Sequence, residues 1–103
     1  MIVAVWEITA KFGKSGQVIA LLKEWNEKFG SEVGMMANGE RILQGSIGAP
    51  ESIIQSVVTM DSLADLEAAF AKLAKLDGHA AWGKQMEPLV VSGSNRWQIY
   101  REV

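Results

Sequence analysis

The nine residues Ile2 to Ala10, I-V-A-V-W-E-I-T-A, leave this chain the least choice. Read as a strand, they place Ile2, Ala4, Trp6 and Ile8 on one face and Val3, Val5, Glu7 and Thr9 on the other, because successive strand side chains point in opposite directions. A strand with one wet face alternates between apolar and polar residues, and this one is largely apolar on both. Two layers must therefore cover its sheet. The chain supplies both or borrows one from a second copy.

With 103 residues the chain matches a single domain, 1–103, large enough for a real core. Its 49% apolar and 21% charged residues place it among globular rather than disordered chains. A net charge of −2 with scattered lysines and arginines argues against a nucleic-acid or anionic-membrane footprint. The absence of cysteine excludes disulfides and thiolate chemistry, and one histidine cannot build a multi-histidine metal cage. No metal site is expected. The apolar N-terminal segment lacks a basic leader and is broken by Glu7, and no apolar run approaches the ~20 residues of a membrane helix. The expectation is a soluble cytoplasmic protein.

Beyond the first strand, Lys11 to Gly16 turns into a helix carrying Val18, Leu21, Leu22, Trp25 and Phe29 on one stripe. Gly30 suits a C′ stop, and Ser31 to Gly39 reads as loop. Arg41–Ile47 and Ser52–Met60 form a hairpin across a turn at Gly48-Ala49-Pro50-Glu51. Asp61 and Ser62 open a second helix with Leu63, Leu66, Ala69, Phe70 and Leu73 on its buried stripe. A short helix over His79–Met86 ends before Pro88, and Arg96–Glu102 is the last strand. The order β-α-β-β-α-β predicts an α+β, ferredoxin-like fold, a four-stranded antiparallel sheet with its helices on one face and strands one and three in the centre. The uncovered face then favours a homodimer, sheet against sheet.

Three stretches bear a family resemblance: V-W-E-I-T-A-K-F-G-K at the first strand and its turn, V-V-T-M-D-S-L-A-D-L-E leading into the second helix, and W-G-K-Q-M-E-P-L-V-V-S-G-S-N-R near the end. Through them the chain resembles the dimeric α/β-barrel proteins, most closely the NIPSNAP-like branch, which shares its architecture with antibiotic-biosynthesis and haem-degrading monooxygenases. The resemblance implies a homodimer with a cleft between sheet and helices in each subunit. It names no substrate, because one fold hosts many functions.

The residues that could carry chemistry are few. Gly13-Lys14-Ser15 stands between strand and helix as a phosphate-binding loop does, but Ile8 occupies the position of that loop's first glycine. Nucleotide binding is rejected. Glu7, the one acid in an apolar strand, is a general-base candidate whose plainer reading is a pair with Arg41, Arg96 or Arg101. His79 is the natural titrating group near neutral pH. Haem-degrading relatives take an axial histidine from this region, with an asparagine in strand one that this chain lacks. A solvated or capping histidine is the plainer reading. Tyr100 and Asn95 are the polar groups that a cofactor-free oxygenase of this fold could use.

Trp6, Met35, Met36, Trp82, Met86 and Trp97 are the candidate lining of a ligand pocket, since aromatic and methionine surfaces suit flat apolar ligands. Trp25 reads as core. The functional expectation is a homodimeric NIPSNAP-like domain binding a small apolar or aromatic ligand in the cleft, with no cofactor. The alternative is a monooxygenase acting on an aromatic substrate, cofactor-independent or with haem.

Overall fold

The computed structural model describes residues 1–103. Its elements run β1 (Ile2–Thr9), α1 (Ser15–Trp25), β2 (Glu40–Gln44), β3 (Ile53–Met60), α2 (Leu63–Leu73), α3 (His79–Met86) and β4 (Arg96–Arg101). The strands make one antiparallel sheet in the order β2-β3-β1-β4, so β1 and β3 are the inner strands. This is the ferredoxin-like βαββαβ arrangement, with α3 added before the last strand.

Register fixes which side of the sheet each residue serves. Ala4, Trp6 and Ile8 stand opposite Val58, Ser56 and Ile54, and all six are buried. Five of them join one core with Val18, Leu22 and Trp25 of α1, Leu66, Ala69 and Leu73 of α2, and Trp82 and Met86 of α3. The other face carries Val3, Val5, Glu7 and Thr9 beside Thr59, Val57, Gln55 and Ile53, flanked by Leu43 and Tyr100. Its composition is mixed. Apolar side chains surround a polar row in which Arg96 Nη2 lies 2.7 Å from Glu7 Oε2 and Gln55 Nε2 donates to Glu7 Oε1 at 2.9 Å.

Several elements differ in detail from their sequence expectation. Gly30 is no left-handed C′ residue: α1 runs on through a π-helical turn, Asn26–Gly30, and this glycine has no positive φ. A Cβ there would lie 2.8 Å from Met36 Cε and 2.9 Å from Trp25 Cζ3. Only hydrogen lets the chain pass. The segment beyond it forms turns that bury Val33 and Met35 in the core. β2 ends at Gln44 because Gly45 packs against the backbone of Pro50, and the closing turn falls at Pro50–Ile53, two residues later than expected.

The second helix starts as its sequence implies, with the Ser62 hydroxyl accepting from the Asp65 N–H at 3.2 Å. Leu63, expected on the buried stripe, is exposed. No helix is long and apolar enough to cross a membrane.

Candidate functional site

The β1–β4 register pairs Trp6 with Trp97 on the helix-covered face, their rings stacked at 5.3 Å and 9°. Trp25 of α1 meets Trp6 edge-on at 5.2 Å, and Trp82 of α3 tilts against it at 5.9 Å. Phe70 of α2 stands edge-on to Trp97 at 5.1 Å. These five rings, with Leu73, His79 and Asn95, wall a cleft of about 440 Å³ between the sheet and helices α2 and α3. A second hollow of about 420 Å³ shares Phe70 and Trp97 and opens between Leu63, Glu67 and Ile99. The cleft is the size of a small-molecule site, apolar with a few polar groups. No Lys, Arg, Asp or Glu lines it.

Buried indoles need acceptors for their N–H groups. Here Trp6 donates to Asn95 Oδ1, Trp25 donates to His79 Nε2 at 2.9 Å, and Trp82 donates to the Leu21 carbonyl at 2.8 Å. Two of these bonds tie α1 to α3, and the third ties β1 to the loop before β4. His79 is therefore no cap, and it is only partly open to solvent. It stacks on Trp82 at 15°, meets Phe29 edge-on at 5.2 Å, and serves as the acceptor that holds α3 to α1. An imidazole nitrogen that accepts a hydrogen bond carries no proton, so His79 is neutral in this arrangement.

Burial pushes the His79 pKa below the ordinary value of 6.5. Below that value the unfolded chain binds more protons than the folded one, so stability rises with pH there. This contribution is complete above pH 6.5 and is lost as pH falls from 6.5 through the lower folded-state value. Urea midpoints of the parent should therefore drop between pH 7.5 and 5.5 by more than those of His79→Gln, which keeps an acceptor but cannot titrate. Parallel curves for the two proteins would contradict this.

The structure sorts the candidate residues by strand parity. Trp6, Trp82 and Trp97 line the cleft together with His79. Met35 and Met86 are buried in the core and Met36 packs beside it, so none of the three methionines lines the cleft. Glu7 and Tyr100 cannot reach it: they alternate with Trp6 and Ile99 and so point to the opposite face. Glu7 is engaged there by Arg96 and Gln55. Trp25, assigned to the core, does double service, since it is 2% exposed yet borders the cleft. Phe70 and Leu73 also line it, and their place on the buried stripe of α2 was the signal available for them.

Haem does not fit this set. His79 Nε2 already accepts from Trp25, and β1 offers no asparagine. No group of His, Cys, Asp and Glu side chains is arranged to hold a metal ion.

No protein-family model matches the chain, and no curated protein matches it by sequence. Solved structures do. A NIPSNAP family protein from Agrobacterium tumefaciens superposes with a TM-score of 0.80 at 20% identity, over 99% of this chain and 92% of that one. A proposed antibiotic biosynthesis monooxygenase from Deinococcus radiodurans gives 0.69 at 14% identity, covering 100% and 93%. SnoaB, a cofactor-independent oxygenase from Streptomyces nogalater, gives 0.69 at 10% identity, covering 98% and 91%. At such identities the likeness concerns architecture: this chain has the ferredoxin-like fold shared by NIPSNAP family proteins and antibiotic-biosynthesis-monooxygenase-like proteins.

Proposed function

We propose that this chain is a homodimeric binding domain whose cleft takes a small, planar, uncharged aromatic ligand. The observation that carries the reading is the cleft itself: about 440 Å³ bounded by four tryptophans and a phenylalanine, without a charged side chain. Indole walls offer a flat ring large contact areas and edge or face interactions of about 0.5–1.5 kcal/mol each beyond burial. A charged ligand would lose its hydration there without a partner of opposite sign. The fold is shared with a NIPSNAP family protein and with a cofactor-independent oxygenase, so this architecture is compatible with small-molecule work.

Calorimetric titration with quinoline, a neutral bicyclic aromatic at pH 7.5, tests the reading. One saturable site per chain is expected. Trp97→Ala should weaken it at least about tenfold, which is ~1.4 kcal/mol. Absence of saturable heat up to about 1 mM, a binding free energy of only ~4 kcal/mol, would contradict it.

Pairing of two copies through the outer sheet face belongs to the same proposal. Val5 and Val57 face each other across the inner strands at its middle, with Val3, Ile53, Leu43 and Tyr100 around them. The Arg96–Glu7–Gln55 row is already internally paired, so covering it leaves no lone carboxylate. Sedimentation should show a dimer at about 10 μM and a folded monomer for Tyr100→Glu, at a position exposed in the single chain, since each dimer would otherwise bury two unpaired charges. A monomeric parent would remove this part of the proposal.

A further inference from the structure

We infer that Trp25 is a positioning residue: it fixes the tautomer of His79, so that the cleft offers hydrogen-bond donors and selects aromatic ligands that carry an acceptor atom. The inference rests on the binding reading above and specifies the chemistry of the ligand. A neutral imidazole has one N–H and one lone pair, and the partner of either nitrogen decides which is which. Trp25 can only donate, so His79 Nε2 must be the bare nitrogen and Nδ1 must carry the hydrogen. Nδ1 has no hydrogen-bond partner in the protein, although His79 is part of the cleft wall.

Asn95 repeats the pattern. Its Oδ1 accepts from Trp6, which leaves the amide NH₂ as its free group, and Asn95 also lines the cleft. In both residues a tryptophan N–H engages the side-chain acceptor and leaves donors over. A carbonyl oxygen, an ether oxygen or a pyridine-type nitrogen on the ring can use these donors. A ring N–H facing them stays unpaired. Partial burial of His79 lowers its proton affinity, in keeping with the neutral form that the Trp25 bond requires.

The chain has a single histidine, so its two ring nitrogens are assigned without ambiguity. Nitrogen-15 NMR of the intact protein at pH 8 should show a pyrrole-type Nδ1 and a pyridine-type Nε2. The free imidazole side chain prefers the reverse. Trp25→Phe keeps a ring and removes the donor, and should return the spectrum toward that reverse tautomer. A merely structural role for Trp25 would not move this signal.

Titration with three bicycles of similar size then reads selectivity. Quinoline carries an acceptor, naphthalene carries no polar group, and indole carries only a donor. Quinoline should bind roughly threefold to tenfold more tightly than naphthalene, the span of one net hydrogen bond, with indole the weakest. In Trp25→Phe the preference for quinoline should shrink toward parity. An Nε2–H tautomer in the parent overturns the inference, as does equal affinity for quinoline and indole. If none of the three binds, the ligand reading fails together with the selectivity, while the tautomer spectrum still decides the role of Trp25. Should Trp25→Phe fail to fold, the parent spectrum and the three affinities test the proposal unaided.

Discussion

Replacing Trp6 by alanine is expected to destabilise the chain by about 4 kcal/mol, within the usual range for a large buried aromatic. The ring sits on an inner strand, 7% exposed, and touches the rings of Trp25, Trp82 and Trp97 at once. Removing it opens a void where α1, α3 and β4 converge, and leaves the Asn95 carbonyl without its donor. A domain of this size has about 5–15 kcal/mol of net stability, so the variant should stand near the threshold of folding. Urea denaturation of Trp6→Ala beside the milder Trp6→Phe measures the loss. A value under about 1 kcal/mol, the size of an ordinary surface effect, would show that the ring does not hold the cluster together.

Gly45→Ala should come next, at about 3 kcal/mol, a core-sized penalty arising from a hairpin loop. The cause is backbone. A Cβ at this position would fall 1.8 Å from the Pro50 carbonyl oxygen and 2.6 Å from its carbon, so no rotamer change can relieve it. The loop must open, which breaks the bond from the Gly45 N–H to the Ile53 carbonyl at 2.9 Å and loosens the end of β2. Gly83→Ala serves as the control. It lies inside α3 with nothing within 4 Å of the added carbon, and should gain about 0.5–1 kcal/mol from helix propensity. Equal and small effects at both positions would mean that the Pro50 contact does not constrain the hairpin.

Much of this architecture could be read directly from residue patterns. The doubly apolar Ile2–Ala10 segment marked an inner strand, and residue patterns located the starts of α1, α2 and α3 within a residue or two. Strand parity even contained the separation of Trp6 from Glu7, since neighbours in a strand never share a face. What parity could not supply was which face meets the helices, so Glu7 and Tyr100 stood as site candidates beside the tryptophans. The bond between Trp25 and His79 joins residues 54 positions apart, and no local pattern encodes it. The methionines misled for a related reason. Met35 follows a π-helical turn that no hydrophobic period announces, and that turn carries it into the core instead of the cleft. Gly30 looked like a helix stop because glycine ends many helices. Its actual duty, the close passage of Trp25 and Met36, depends on tertiary packing.

Whether the ring of tryptophans encloses a receptive space or merely a packing gap is settled most directly by a crystal structure of the protein grown with quinoline. Binding places the bicycle between Trp97, Phe70 and Trp82, its nitrogen within hydrogen-bonding distance of His79 Nδ1 or Asn95 Nδ2. Quinoline absent from the cleft at a saturating concentration, or held only elsewhere on the surface, contradicts the account.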